Sequence, residues 1–443
     1  MTPEPIDSLI SARWVIPVEP AGIVLQDCSV AIRDGLIVAV LPTRDATARF
    51  DARVHQTLPD HILMPGLVNA HTHAAMSLMR GLADDMPLMT WLQKHIWPTE
   101  ARHVSDGFVF EGTLLACAEM LRGGTTTFND MYFFPGASAQ AALRAGMRAA
   151  VGIIAIEFPT AYASDPDDYL AKGLAVRDEL RGESRISFCL APHAPYTVSD
   201  RTFERIRMMA DELDLPVHIH LHETLDEMER SVRDHGRRPL ARLQELGLVD
   251  PRLIAVHGVH FDDSELQALA SAGASIAHCP SSNLKLASGV ARAAKMHELG
   301  INIALGTDGA ASNNRLDMFQ EMRLAALLAK VHGGTAESVS AHTAIRMATL
   351  NGASALGLER RTGSLISGKS ADLCAISLEG PEMSPCYDPA SHVVYAAGRE
   401  QVTHVWVEGN PVLSDRKLLR IDTVDLDNRI RLWQNKIGSE TST

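Results

Sequence analysis

The chain's 443 residues exceed what one hydrophobic core usually serves, and its 46% apolar and 21% charged residues exclude disorder for most of it, so one large domain and a smaller one are expected. A formal charge of −13 without a long Lys/Arg block repels a phosphate backbone, which argues against nucleic acid as a partner. No stretch approaches about 18 uninterrupted apolar residues, so no membrane contact is expected; the six cysteines lack a CxxC pair and the acidic N-terminus lacks a basic leader, which predicts a cytoplasmic location.

In chain order, Ser8 to Pro42 is rich in β-branched residues and turns at Gly35, and reads as half of a β-domain covering residues 1–62. Leu63 to Val68 follows as the first strand of a second unit. Phe108 to Leu121 has apolar residues at helical spacing, Gly123-Gly124 stops it, and Thr125 to Phe128 reads as the next strand. Arg148 to Ile154 and Ile186 to Leu190 are the third and fourth strands. Ser199 or Asp200 caps a helix over Thr202 to Leu213, and Pro216 opens the strand Val217 to Leu221. Ala241 to Gly247 precedes the strand Leu253 to Val256. Asp262 and Glu265 form a capping-box pattern for a helix that Gly273 ends before Ala274 to Ala277, and Ala293 to Gly300 leads into Ile301 to Leu305. About eight strands alternating with helices predict an α/β fold, a (β/α)8 barrel over residues 63–362. Ala371 to Leu413, again β-rich with a turn at Gly409-Asn410, supplies residues 363–443 as the other half of a composite β-sandwich, followed by a polar tail from Gly438 to Thr443.

The chemistry concentrates at the predicted strand ends. In Met64-Pro-Gly-Leu-Val-Asn-Ala-His-Thr-His73, residues two apart share a face, so His71 and His73 point together into the barrel, half of a metal site. In Pro216-Val-His-Ile-His-Leu-His-Glu223, His218, His220 and His222 share one strand face. His220 is the best ligand candidate, while His218, the deepest, is equally readable as a hydrogen-bonded core histidine. Glu223 is either a rim carboxylate able to pass protons or a loop glutamate. Asp308, before Gly309, is a helix cap or a catalytic carboxylate. His193 and His257 also follow strands, and each alone reads as a structural histidine. Together, these residues converge on the C-terminal face of a barrel, where active sites sit. Three neutral imidazoles and a carboxylate on a divalent ion leave a position for water whose pKa then falls toward about 7.

The motifs PGLVNAHTH, His-x-x-Glu after PVHIHL, and GTDGAASNN resemble the amidohydrolase superfamily, and Gly363 to Leu373 resembles that family's return from barrel to β-sandwich. A bridging lysine of binuclear members is replaced by Pro192-His193 after the fourth strand, which implies one metal ion. Finer features, from Met76 to Leu88, Trp97-Pro-Thr-Glu100, Gly124 to Asp130, Ala191 to Tyr196 and Ser282 to Leu286, resemble 5'-methylthioadenosine/S-adenosylhomocysteine deaminases, a subgroup that also includes hydrolases of chlorinated triazines. The resemblance implies that His71, His73, His220 and Asp308 ligate zinc or ferrous iron, that hydroxide adds to C6 of an adenine ring, and that ammonia leaves to give the inosine analogue. Asp308 is implied as acceptor of the water proton, Glu223 as donor to a ring nitrogen, and His257 as the group orienting the attacking oxygen. His193 is implied at the purine edge and Glu100 at the ribose hydroxyls, with a solvated helix-start carboxylate as the plain alternative for Glu100.

Met76, Met79, Met86, Met89, Trp91 and Trp97 are adaptable enough to form an apolar lid, or simply pack a helix on the barrel. No arginine occurs in Val151 to Tyr162, where some members of the family place a partner for an amino-acid carboxylate, which favours a short 5'-substituent. The expected substrate is a small nucleoside. Another aminated or chlorinated ring (guanine, cytosine, pterin, s-triazine) is the alternative, and a barrel that only binds metal or metabolite is a third reading. A homo-oligomer stays open, as does zinc against iron.

Overall fold

Short β-branched runs separated by glycine turns build two eight-stranded sheets in the computed structural model, which describes residues 3–441, with no side-chain description for residues 440 and 441. The first sheet takes β1 (Glu4–Val15), β2 (Leu25–Arg33), β3 (Leu36–Pro42) and β4 (Phe50–Pro65) from the N-terminal part. The second takes β5 (Leu67–Thr72), β6 (Thr125–Asp130), β7 (Arg148–Ala155), β8 (Ile186–Pro192), β9 (Val217–Leu221), β10 (Leu253–His257), β11 (Ser275–His278) and β12 (Asn302–Leu305). Then β13 (Leu373–Ser377), β14 (Val402–Val407), β15 (Asn410–Ser414) and β16 (Lys417–Leu418) return to the first sheet.

In the second sheet every neighbouring pair is parallel and the order is sequential from β5 to β12. Asp308 N donates to His71 O at 3.0 Å and Thr307 N to Asn69 Oδ1 at 2.9 Å, drawing the end of β12 against β5. Strands covered on both faces must be apolar along their length, and β7 and β10 are buried at every residue. This is the expected (β/α)8 barrel. Its lumen is filled by small and branched side chains such as Val68, Ala70, Ile254, Val256 and Ala304, which leaves the polar strand ends to line one open face. Of the two cap candidates, Ser199 is the residue whose hydroxyl accepts from Thr202 N, and the capping box at Asp262 and Glu265 is present.

The other sheet runs β16-β15-β14-β13-β4-β1-β2-β3. Its N-terminal and C-terminal halves meet at the antiparallel pair β4–β13, and a bridge from Leu36 to Ser370 brings the β3 side back to the returning chain. Both halves then share one core, with Ile10, Val30 and Ile32 against Leu373, Ala375 and Trp406. The strand expected at Leu63 to Val68 divides at Gly66: residues through Pro65 stay in β4, and the barrel strand starts at Leu67. An added Cβ at Gly66 would lie 2.2 Å from the Thr126 side chain, so only glycine lets the chain cross there. Arg148 fastens the two units, with Nε 3.2 Å from Asp372 Oδ2 and Nη2 3.3 Å from Glu408 Oε1.

The C-terminal tail differs from expectation. Thr423–Thr441 is one helix; Ile437 is buried and the Trp433 ring meets Phe108 edge-on at 5.3 Å. The polar composition of its last turn hid an amphipathic face whose apolar residues lie further upstream. Of the expected tail, Ser442 and Thr443 lie outside the described residues.

Candidate metal centre and active site

Three strand ends, those of β5, β9 and β12, bring His71, His73, His220 and Asp308 together. His73 and His220 face each other with Nε2 atoms 3.2 Å apart, while Asp308 Oδ1 stands 3.3 Å from His71 Nε2 and 3.4 Å from His73 Nε2. Their other ring nitrogens are engaged: His73 Nδ1 with Met131 O at 2.6 Å, and His220 Nδ1 with His193 O at 2.7 Å. A carbonyl can only accept, so each Nδ1 donates, and in rings carrying a single proton the two Nε2 lone pairs confront one another. Such a pair repels unless a shared cation lies between. His71 Nδ1 is held by His218 Nε2 at 3.0 Å, and its buried Nε2 has no hydrogen-bond partner. Ring partners of this kind fix the tautomer of metal-binding histidines. The donor set therefore fits a divalent ion.

His218 thus occupies the core position allowed for it and supports His71 rather than facing the centre. Burial pushes the His71 imidazole down to about 4, and burial with the neighbouring rings pushes His220 well below the usual range, so both rings are neutral at pH 7. Asp308 is held well below the ordinary carboxylate range: burial opposes this, but the close approach of His71 at 3.3 Å and the neighbouring imidazoles outweigh it. Its Oδ2 also accepts from Ser282 Oγ at 2.6 Å and Ser312 Oγ at 2.7 Å.

Three strand ends around the site, those of β9, β10 and β12, leave ordinary backbone geometry. His222, His257 and Asp308 have φ of +56°, +71° and +62°, a region that costs non-glycine residues of order 1–3 kcal/mol and collects at functional sites. The turn at His222 breaks the alternation expected to hold it beside His218 and His220. β9 ends at Leu221, the His222 ring stacks on Phe261 at 4.4 Å, and its Nε2 accepts from Leu240 N. The same reversal sends Glu223 inward, to 3.8 Å between its Oε2 and His257 Nε2. Burial raises the Glu223 carboxyl above its ordinary range, as suits a group that must hold a proton before giving it. Glu227 fixes the Glu223 backbone by accepting its N–H at 2.8 Å.

His257 Nδ1 donates to Asn283 Oδ1 at 2.9 Å, and the ring stacks on His220 at 5.4 Å. Its ligating atom also falls within 4.8 Å of those of His71 and His220, so the structure places it closer to the ligand group than the sequence implied.

Above the centre lies a cavity of about 550 Å³, inside the usual range for small-molecule sites. His193 lines it, with its ring 4.9 Å from His220 and Nδ1 3.0 Å from Thr197 Oγ1. Glu100 lines the far part and is no solvated helix-start carboxylate: burial pushes it up to about 7, opposed by the Tyr132 hydroxyl, which donates to Oε1 at 2.7 Å. Sequence reasoning missed Tyr132, although it follows the second barrel strand as the other site residues follow theirs. It also missed Ser312 as a partner of Asp308.

The expected lid is a continuous helical segment from Leu88 to His103 with a π-turn at Leu92–Ile96. Trp91 and Trp97 face the cavity; of the four methionines only Met76 lines it, while Met79 is buried and Met86 and Met89 pack behind. Among the described residues, no lysine or arginine borders this cavity.

Gly306 sits against the centre: a Cβ there would lie 2.8 Å from His71 Cβ and 2.9 Å from His71 N. Gly306→Ala is expected to displace His71 and weaken metal affinity tenfold or more, the usual cost of disturbing a ligand's support, as measured by competition with a chromogenic chelator.

The family profile for the amidohydrolase family matches residues 62–412. A protein of Saccharophagus degradans named 5-methylthioadenosine/S-adenosylhomocysteine deaminase is 47% identical, covering 99% of this chain and 98% of its own. One of the same name from Teredinibacter turnerae is 46% identical over 98% of each. Among solved structures, an adenosine deaminase from Xanthomonas campestris with bound zinc superposes with a TM-score of 0.97 at 52% identity, covering 99% of this chain and 100% of that one. Atrazine chlorohydrolase from Arthrobacter aurescens complexed with zinc gives 0.88 at 25% identity over 96% and 100%.

Proposed function

This chain belongs to the amidohydrolase family, and on that premise we propose that it is a metal-dependent deaminase of adenosine-type nucleosides, releasing ammonia and the inosine analogue. Candidate substrates are 5'-methylthioadenosine, S-adenosylhomocysteine and adenosine, the first two appearing in the names of its relatives and the third in that of a structural neighbour. His71, His73, His220 and Asp308 would hold the ion, with zinc favoured because two similar structures carry it. When bound, such an ion supplies Lewis acidity that brings a water's pKa toward about 7.

The chain's own residues complete the chemistry. Asp308 Oδ1 accepts the water proton; Glu223, whose carboxyl burial pushes above its ordinary range, gives a proton to a ring nitrogen as C6 becomes tetrahedral. His257, 3.8 Å from Glu223, orients the attacking oxygen. His193 holds the purine edge. Six free cysteines, five of them buried, favour a reducing cytoplasmic setting, and no described helix is long and apolar enough to cross a membrane.

Glu100 carries the nucleoside reading. It is the one carboxylate among the described cavity-lining residues besides Glu223 and Asp308, and a ribose diol would donate to it. Zinc-loaded protein is expected to shift the absorbance of methylthioadenosine, S-adenosylhomocysteine and adenosine toward that of hypoxanthine, with adenine much slower. Four unchanged spectra would remove the nucleoside assignment. Glu100→Gln is expected to raise KM for the nucleosides and barely affect a free base. Because the Glu100 carboxyl lies near 7, its charged form, and with it the strong acceptor, is lost as pH falls through that value. KM for nucleosides is therefore expected to rise below about pH 7 in the parent, and this rise to vanish in the Gln variant.

A further inference from the structure

A second cavity of about 480 Å³ adjoins the first and shares Trp97, Phe158 and Tyr196 with it. Trp97 lies one helical turn before Glu100 on the same helix, so their side chains neighbour each other. A nucleoside with its ribose at Glu100 would have this junction within reach of its 5'-substituent. On the barrel side, the Tyr196 ring is 6.2 Å from the His193 ring, and the Arg230 guanidinium sits 5.8 Å from the centroid of Tyr196.

The two cavities differ in chemistry. The first has no cationic side chain other than histidine; the second is bordered by Arg230, Arg242, Glu157, Asp200, Glu227 and Asp234. Most of these charges are already used. Arg242 is held by Asp200 Oδ1, Pro195 O and Val198 O at 2.6, 2.6 and 2.9 Å. Glu227 is taken up by the backbone N–H groups of His222 and Glu223. Arg230 is different: its ion pair with Asp234 is 3.6 Å, longer than a hydrogen bond, and Asp234 is engaged more closely by Arg233 at 3.0 Å. Glu157 lines this cavity and accepts from Ser199 N and Thr202 Oγ1 through Oε1.

We propose that this second cavity is a subsite for an amino-acid zwitterion carried on the 5'-position, with Arg230 taking the carboxylate and Glu157 the ammonium. The inference rests on the nucleoside reading above and sharpens it: S-adenosylhomocysteine bears such a tail and methylthioadenosine does not. A sequence search for an arginine after the third barrel strand fails because the cation comes from Leu225–His235, the helix after the fifth.

The test compares kcat/KM for S-adenosylhomocysteine and methylthioadenosine in the zinc-loaded parent, Arg230→Gln, Arg230→Lys and Glu157→Gln. Arg230→Gln is expected to lower the S-adenosylhomocysteine to methylthioadenosine ratio about tenfold, the scale of a lost charge-assisted hydrogen bond, through KM rather than kcat. Lysine restores part of the ratio, and added salt lowers it in the parent but not in Arg230→Gln. A ratio that stays within twofold of the parent in both the Arg230→Gln and Glu157→Gln proteins overturns the subsite alone, as does a parent that deaminates methylthioadenosine but not S-adenosylhomocysteine. No turnover of any nucleoside overturns the reading beneath it as well.

Discussion

Glu223→Gln is expected to reduce kcat by about 10²- to 10⁴-fold, the range for removal of a positioned general acid or base, while the protein still binds one metal ion. The side chain lines the same cavity as the proposed ligands His73, His220 and Asp308 but belongs to neither group of residues that could hold an ion. Glutamine keeps its size and its contact with His257, but an amide cannot deliver a proton to a ring nitrogen. Elemental analysis of metal content alongside single-turnover rates separates the two effects. Turnover equal to the parent's would remove Glu223 from the mechanism, and loss of metal would make it a ligand. The geometry opposes the second outcome, since Glu223 approaches His257 at 3.8 Å and is anchored through its backbone by Glu227. Burial raises its pKa, so the protonated form, and with it the acid function, extends to higher pH than for an exposed glutamate and is lost as pH rises.

Much of this arrangement is legible in sequence because barrel geometry is repetitive. A run such as Leu253 to His257, buried throughout and ended by a polar residue, can only be a parallel strand covered on both faces, and the ends of such strands share one side of the molecule. That logic reached His71, His73, His193, His220, His257 and Asp308 without coordinates. It failed where a single torsion departs from the strand. The period of two assumed for His218, His220 and His222 ends at Leu221, and the positive φ of His222, a residue type with no strong preference for that region, leaves no compositional trace. It failed again at long range: Arg230 reaches the substrate side through Tyr196, a contact between two different βα units that no local pattern records. The terminal helix was missed for a third reason. Trp433 and Ile437 are its buried anchors, too few among polar neighbours for periodicity to stand out.

Removing the metal is expected to abolish deamination and to lower Tm, both reversed by adding zinc. The ligand geometry supports a stabilising role as well as a chemical one. His73 and His220 hold bare nitrogens 3.2 Å apart, Asp308 brings a buried carboxylate to the same point, and two residues at that point, His257 and Asp308, sit in strained backbone conformations. A cation binding only the folded state adds RT ln(1 + [M]/Kd), about 2.7 kcal/mol at a hundredfold excess over Kd. For a domain of this size that is a rise of several degrees in Tm. His71→Ala is expected to reproduce the metal-free protein, with zinc no longer raising Tm, because it deletes a ligand whose orientation His218 maintains. Asp308→Asn should separate the two roles. The amide oxygen remains available to the ion, so part of the zinc-dependent rise in Tm survives, whereas turnover falls by orders of magnitude because the amide takes no proton from water. The comparison is made by calorimetry with and without zinc, alongside rates on the same samples. If Asp308→Asn retained turnover in proportion to its metal content, Asp308 would be a ligand only, and the proton would have to leave through another group facing the cavity, of which His257 is the nearest to Glu223.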